Sequence, residues 1–230
     1  MTTYVLVHGA WGGAHGFRRV RPLLSARGHQ VFTPSLTGIG ERSHLASPQV
    51  ILSTHIQDVL NAIWYEDLTD IVLLGYSYGG MVVTGAVSHL ADRVRHLVYL
   101  DAFVPADGQS LYDLTGQPGG RVLALGQQWL VPARSREYDD PAVAAFAEPR
   151  RMPHPVGCFT EPAIVPRPLE DYPFSRTYIK ATAESEPEAF WAAAGRARSS
   201  PAWSYREIDC DHAVPMNRPG ELAELLLELA

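Results

Sequence analysis

The fold is decided by one stretch of the chain, Ile71-Val72-Leu73-Leu74-Gly75-Tyr76-Ser77-Tyr78-Gly79-Gly80-Met81-Val82-Val83. An apolar run leads into a glycine-flanked serine, and a second apolar run follows. This order predicts a buried parallel strand that turns sharply into a buried helix. Residues 75–79 match G-x-S-x-G, in which small flanking residues permit a strained turn that presents a serine hydroxyl above the sheet. Ser77 is therefore the first candidate nucleophile.

Strand and helix patterns alternate on both sides of this stretch. Such alternation predicts a mostly parallel sheet flanked by helices, with ligands bound beyond the carboxyl ends of the strands. Ser77 and Asp101 both fall at such ends. The other predicted strands cover residues 4–7, 30–33, 96–100, 177–181 and 203–208, and the other predicted helices cover residues 17–27, 54–66, 186–197 and 219–229.

The alternation stops over residues 106–172, which are rich in proline, glycine and charge and hold helix-like pieces at 122–130 and 142–148. A long insertion directly after a strand is better explained as a lid over the strand ends than as a structureless loop. We therefore predict a core built from residues 1–105 and 173–230, with residues 106–172 as the lid.

Composition narrows the class of protein. A chain of 230 residues that is 46% hydrophobic can bury a full core. The net charge of -6 provides no basic face for nucleic acid or anionic lipid. No signal-peptide pattern opens the chain, and no apolar run reaches the roughly 18 residues that a membrane span needs. These features predict a cytoplasmic protein that binds neither nucleic acid nor membrane, and they carry no signal for an oligomeric state.

The cysteines predict neither a disulfide framework nor a metal site. The sequence contains only Cys158 and Cys210, and it has no metal-ligand spacing of cysteine or histidine. We expect two free thiols, and we expect no metal and no cofactor.

A serine hydroxyl is a poor nucleophile near neutral pH, so Ser77 needs a base, and the base needs an orienting acid. His212 lies just past the last predicted strand, at the same sheet end as Ser77, and the order serine, acid, histidine suits a hydrolase of this architecture. His8 ends the first strand and is expected to order the following glycine turn by hydrogen bonding.

Two carboxylates fit the role of the acid. Asp101 ends the strand predicted to lie beside the serine strand, although it could instead cap the turn before Pro105. Glu184 follows the strand at 177–181, in a polar cluster that also resembles a helix start. We favour Asp101 because a carboxylate at an apolar strand end is costly to bury without a partner such as His212, and Glu184 remains the alternative.

Three motifs, His8-Gly9-Ala10, Gly75-Tyr76-Ser77-Tyr78-Gly79-Gly80 and Asp211-His212, together resemble the α/β-hydrolase superfamily, in its branch of plant methylesterases and hydroxynitrile lyases. The resemblance extends over the whole chain and implies the α/β-hydrolase fold. It also implies an oxyanion hole formed by the backbone N–H groups of Ala10 and Tyr78, each contributing on the order of 3 kcal/mol. Glu184 aligns with the position of the methylesterase acid.

Departures from that branch narrow the activity that the resemblance implies. Lyases of this type have threonine and lysine where this chain has Gly9 and Ala213, and the dehalogenases and epoxide hydrolases of this fold use an aspartate where it has Ser77. Acyl transfer to water remains, so we predict a carboxylic ester hydrolase.

The substrate is expected to be a small or medium, largely apolar ester. Two other functions stay open: lyase, decarboxylase or cyclase chemistry in secondary metabolism, and a non-catalytic ligand receptor. Core packing explains each candidate pocket aromatic equally well. These candidates are Trp11, Phe103, Trp129, Phe146 and Phe159.

Overall fold

The computed structural model describes residues 1–117, 129–183 and 188–229. Within them a six-stranded, all-parallel sheet has the order β2-β1-β3-β4-β7-β8, and a two-stranded antiparallel sheet pairs β5 with β6. This arrangement confirms the predicted parallel sheet. The strands are β1 (Thr3–Val7), β2 (Gln30–Phe32), β3 (Ile71–Tyr76), β4 (Val94–Leu100), β5 (Leu130–Val131), β6 (His154–Pro155), β7 (Ser175–Ala181) and β8 (Ser204–Ile208).

Helices connect the strands and cover both faces of the large sheet. No helix of the described residues is both long and apolar enough to span a membrane. The α-helices are α1 (Arg21–Ser25), α2 (Leu52–Tyr65), α3 (Gly79–Ala86), α4 (Leu111–Leu114), α5 (Pro141–Ala147), α6 (Gly157–Thr160), α7 (Glu188–Ser199), α8 (Val214–Asn217) and α9 (Pro219–Leu227). Short 3-10 turns occupy Ala14–Phe17, Gly40–Leu45, Val87–His89, Glu148–Arg150 and Leu169–Asp171.

The helix predicted at 17–27 is wrong in extent. The chain forms a 3-10 turn at Ala14–Phe17, and α1 begins only at Arg21. Pro22 explains the difference, because proline lacks an N–H and its ring clashes with the carbonyl four residues earlier, so it is accepted only in the first turn of a helix.

The core consists of two apolar layers, one on each face of the sheet. Ile71 and Leu73 of β3 pack into the layer that contains α2, α3 and α7. Val72 and Leu74 pack into the layer that contains α1 and α9. Because both faces of β3 are covered, its sequence is continuously apolar rather than alternating.

The described residues of the segment 106–172 form the short elements α4, β5, α5, β6 and α6. The described part of this segment contacts the core at Trp11: the indole Nε1 of Trp11 donates to the Val131 carbonyl at 3.0 Å, and Met152 N donates to the Trp11 carbonyl at 2.9 Å. The helix predicted at 122–130 lies mostly outside the described residues, and at Leu130 it is wrong, because that residue belongs to β5.

Gly80, in the first turn of α3, has no room for a side chain. A Cβ at this position would overlap the Phe103 carbonyl oxygen and lie 3.0 Å from the Ala102 Cβ. We expect Gly80→Ala to lower the free energy of unfolding by about 2–3 kcal/mol in urea denaturation, because the turn after β4 must move away.

Gly195 is the matched control for this prediction. It lies on an exposed face of α7, where a Cβ would meet nothing within 4 Å. Gly195→Ala should raise the free energy of unfolding by up to about 1 kcal/mol, since alanine favours the helix. Equal stabilities of the two variants would contradict the assigned close approach.

Candidate active site

Ser77 occupies a sharp turn between β3 and α3. Its φ of 56° lies in the left-handed region, which costs a non-glycine residue free energy and is concentrated at functional sites. Flanking glycines make the turn possible: a Cβ on Gly75 would lie 2.6 Å from Val83, and one on Gly79 would lie 2.5 Å from the Val7 carbonyl oxygen. The turn therefore aims the Ser77 hydroxyl beyond the carboxyl end of the sheet.

Three sequence-predicted residues form a continuous hydrogen-bonded relay. The Oγ of Ser77 lies 2.9 Å from Nε2 of His212, and Nδ1 of His212 lies 2.6 Å from Oδ2 of Asp101. Because the carboxylate accepts from Nδ1–H, Nε2 presents its lone pair to the serine hydroxyl. This geometry suits transfer of the serine proton to the imidazole. Glu184, the alternative acid, lies outside the described residues.

Burial and neighbouring charges set the ionisation of this relay. Burial lowers the pKa of His212, the Arg136 guanidinium lowers it further, and Asp101 opposes both. Burial alone raises the pKa of Asp101, but the hydrogen bonds and charges of His212 and Lys180 outweigh burial and lower it. Near neutral pH the relay therefore holds a neutral imidazole beside an ionised carboxylate.

The ring of His212 is fixed on both faces. The Tyr76 ring lies 4.9 Å away and the Phe190 ring 5.1 Å away, centroid to centroid. The Tyr76 hydroxyl donates to the His212 carbonyl at 2.6 Å and accepts from Arg136 at 2.8 Å. These contacts position the loop between β8 and α8, which carries His212.

The turn after β1 lies directly against the serine. A Cβ on Gly9 would lie 2.9 Å from the Ser77 Cβ, so the backbone of Gly9 lies against the serine. Ala10, the next residue, therefore lies at the edge of the site. Tyr78 lies at the N-terminus of α3. Within the described part of the chain, the backbone N–H groups of Ala10 and Tyr78 donate to no protein acceptor. Both groups are therefore available to a developing oxyanion.

His8 orders the first turn, as expected. Its Nδ1 bonds the Gly9 carbonyl at 2.9 Å, and its Nε2 accepts from Leu36 N at 3.2 Å. Burial lowers the pKa of His8 to about 4, so the ring is neutral at physiological pH.

Two further buried histidines contact Tyr78 and Trp11, the residue that follows Ala10. Nδ1 of His55 lies 2.9 Å from the Tyr78 hydroxyl, and Nδ1 of His154 accepts from Trp11 N at 3.3 Å. Trp11 itself has a positive φ of 60°. The two histidines thus anchor the segments that carry Tyr78 and Ala10.

His55, His154 and Cys158 place nitrogen and sulfur atoms within 4.8 Å of one another, which raises the question of a metal centre. The hydrogen bonds do not favour one. His55 Nε2 donates to the Thr37 carbonyl at 2.7 Å, and the Nδ1 of His154 is the acceptor for a backbone N–H. The His55 lone pair therefore faces Tyr78, and Nε2 of His154 carries its hydrogen, so neither ring presents a free lone pair to a cation.

The predicted pocket aromatics are dispersed. Phe159 and Trp11 pack together at 5.5 Å, and Phe103 packs at 4.6 Å on Phe190, which in turn covers His212. Phe146 lies between Arg18 and Arg150, 4.0 Å from each guanidinium.

Trp129 contributes its carbonyl to the Val156 N–H at 2.8 Å and is half-buried. A narrow cavity of about 60 Å³ beside Ala10 contains none of the five aromatics among its described lining residues. Pocket lining by these five residues stays a prediction. The cavity is lined by other side chains, including Tyr76, Arg136, Tyr138, Arg151 and Met216.

Sequence reasoning missed Lys180, whose Nζ lies 2.7 Å from Asp101 Oδ1. A lysine between Ile179 and Ala181, near the end of a predicted central strand, was the available signal, since a buried ammonium requires a partner. The sequence did not point to His55 or His154. They lie in α2 and β6, and neither position follows the carboxyl end of a predicted strand beside Ser77.

A strained serine after a parallel strand, a histidine in a late loop and a carboxylate at a strand end define the class of α/β hydrolases. The chain belongs to the alpha/beta hydrolase family, whose match covers residues 4–225. It is 36% identical, over 253 aligned residues that cover 100% of both chains, to a carbendazim hydrolyzing esterase from Nocardioides sp. (strain SG-4G).

Solved structures agree on the fold. An extracellular alpha/beta-hydrolase from a Paenibacillus species superposes with a TM-score of 0.83 at 24% identity, covering 99% of this chain and 98% of the other. A methylesterase from Arabidopsis superposes with a TM-score of 0.80 at 22% identity, covering 100% and 98%. At these identities the likeness concerns the fold alone.

Proposed function

We propose that the protein is a serine carboxylic ester hydrolase that cleaves small or medium, largely apolar esters through an acyl-enzyme on Ser77. The observation that carries the proposal is the buried relay from Ser77 through His212 to Asp101, with distances of 2.9 and 2.6 Å. The esterase name of the full-length relative supports the same reaction class.

In the first half-reaction, the Ser77 oxygen attacks the ester carbonyl carbon while His212 Nε2 takes the serine proton. The carbonyl oxygen becomes an alkoxide, which the N–H groups of Ala10 and Tyr78 stabilise. Asp101 stabilises the imidazolium without taking its proton. The imidazolium then gives the proton to the departing alcohol, and the acyl group remains on Ser77.

In the second half-reaction, His212 removes a proton from water, and the resulting hydroxide attacks the acyl carbon. The same two N–H groups stabilise the second alkoxide. When this intermediate collapses, the carboxylic acid leaves and His212 returns the proton to Ser77. No metal or cofactor takes part in this scheme.

Residues 106–172 are proposed as the cap over this site. The bonds of Trp11 with Val131 and Met152 support the assignment, because they connect the segment to the turn that carries Ala10. The predicted aromatics are proposed to form the acyl or alcohol pocket beneath it. We further propose a cytoplasmic location and no interaction with nucleic acid or membrane, on the basis of the sequence alone.

Reaction with a fluorophosphonate probe tests the proposal. We expect stoichiometric labelling at Ser77, located by peptide mass spectrometry, and a burst of nitrophenol from nitrophenyl acetate. A panel of acyl chain lengths would then define the pocket. Turnover of a true substrate without labelling or burst would instead favour a non-hydrolytic reaction of the same fold.

The pH profile provides an independent check on His212. Only the neutral imidazole accepts the serine proton, so kcat/KM should fall as the pH drops through the pKa of His212. Since burial and Arg136 lower that pKa, the midpoint of the acid limb should lie below the ordinary histidine value of about 6.5. A midpoint above pH 7 in kcat/KM measurements would contradict this environment.

A further inference from the structure

Lys180 forms a buried ion pair with the carboxylate that contacts His212. Its side chain is 1% exposed, and its Nζ lies 2.7 Å from Oδ1 of Asp101. The other oxygen of the same carboxylate, Oδ2, receives the hydrogen bond from His212 Nδ1. The two oxygens of Asp101 are thus divided between a lysine and the candidate base.

The ammonium is itself fixed in place. Lys180 Nζ also donates to the Ala181 carbonyl and lies 4.3 Å from the centroid of the Trp191 ring, a cation–π contact. The Ala181 N–H adds a longer bond to Asp101 Oδ1 at 3.4 Å. The carboxylate is consequently held against the end of β7 in one rotation about its χ2 angle.

The neighbouring residue on the same face of β7 holds the backbone beside Asp101. Tyr178 Oη accepts from Ala102 N at 3.1 Å and donates to the Ala102 carbonyl at 2.9 Å. Alternate strand residues share a face, so Tyr178 and Lys180 together fix the turn in which Asp101 has a φ of 40°. Strand β7 therefore supports both the backbone and the side chain of this residue.

Stability alone gives a weak reason for such a pair. Removing two charges from water is costly, and well-packed apolar residues often stabilise a core as well as a buried ion pair does. The ammonium group of Lys180 instead affects the hydrogen-bonded relay, because it contacts the same carboxylate that accepts from His212. We propose that Lys180 is a positioning residue of the active site, which orients the Asp101 carboxylate toward His212 and limits the basicity that Asp101 confers on the imidazole.

This inference rests on the proposed role of Asp101. It predicts that loss of the Lys180 charge raises the pKa of His212, an effect that loss of packing alone would not produce. Among the described residues, the charged and titratable groups around His212 are Asp101 directly after β4, Lys180 from β7, Arg136 from the 106–172 segment and the hydroxyls of Tyr76 and Ser77. Removing the Lys180 charge leaves Asp101 less compensated, so the imidazolium is stabilised and the pKa of His212 rises.

Lys180→Met is the test. We expect the acid limb of kcat/KM to move to higher pH by about one unit, and kcat per titrated active site to fall while KM changes little. The fall in kcat should be smaller than the roughly 10⁴-fold loss expected when the acid itself is neutralised. Lys180→Gln keeps a hydrogen-bond donor but no charge, so it should show the same pH shift with a smaller loss of kcat. It replaces Lys180→Met as the test if the methionine variant does not fold.

Arg176 offers a matched control. It is a second buried cation on the same face of β7, but it donates to the carbonyls of Tyr172, Phe174 and Ala202 rather than to the relay. Arg176→Met should lower the melting temperature and leave the acid limb in place. NMR titration of the His212 ring measures the same pKa without any substrate.

The positioning role of Lys180 and the proposed esterase activity would be contradicted by different results. An unchanged His212 pKa and unchanged kcat in folded Lys180 variants would overturn the positioning role while leaving the esterase intact. Absence of Ser77-dependent ester cleavage in the unaltered protein would overturn the proposed function instead, and the NMR titration would still report on the influence of Lys180.

Discussion

Ser77→Ala is expected to lower kcat for ester cleavage by about 10⁶-fold, the loss typical of removing the nucleophile from a serine relay. The substitution removes the nucleophilic oxygen, so no acyl-enzyme can form. Ser77 is only 9% exposed. The burst of nitrophenol should disappear, and the fluorophosphonate probe should no longer label the protein.

The fold should survive this change. Ser77 holds its turn through its main chain, with its N–H donating to Leu100 O and its carbonyl accepting from Phe103 N. Alanine keeps both bonds, so the melting temperature should stay within a few degrees of the parent. Undiminished turnover of the true substrate by this variant would reject the acyl-enzyme and favour lyase or decarboxylase chemistry.

Asp101→Asn is expected to lower kcat by about 10⁴-fold with little change in KM. The amide is nearly isosteric, but it loses the charge that stabilises the imidazolium and can turn an N–H toward His212. His212 would then hold its proton on Nε2, where it cannot accept from Ser77. The pKa of His212 should also fall, which an NMR titration can detect.

Glu184→Gln is the comparison for this prediction, because the two carboxylates are the alternatives that the sequence presents. Asp101 lies 2.6 Å from the imidazole, so we expect the Glu184 variant to keep most of the parental activity. A large loss in Glu184→Gln with none in Asp101→Asn would reverse the assignment, and near-parental activity in both would remove both candidates.

Local patterns in the sequence were sufficient for most of the sheet and for two members of the relay. The apolar run of β3 and the glycines around Ser77 specify a buried strand and a tight turn whatever the rest of the chain does. His212 follows from its place just after a late strand. By contrast, Pro22 shortened a helix that the apolar spacing alone had extended, because spacing does not register the missing N–H of proline.

The sequence by itself determined a parallel α/β sheet, a serine on a strained turn and a histidine at the same sheet end, since these depend on local periodicity and turn chemistry. The sequence favoured Asp101 as the partner of His212 and left Glu184 open. Only the tertiary structure showed the contact between Asp101 and His212, the ion pair between Lys180 and Asp101, and the packing of His55 and His154 against Tyr78. Such pairings depend on which strand ends become neighbours and on the direction of each side chain. These are long-range properties, because β4, β7 and the His212 loop become neighbours only when the strands of the sheet assemble.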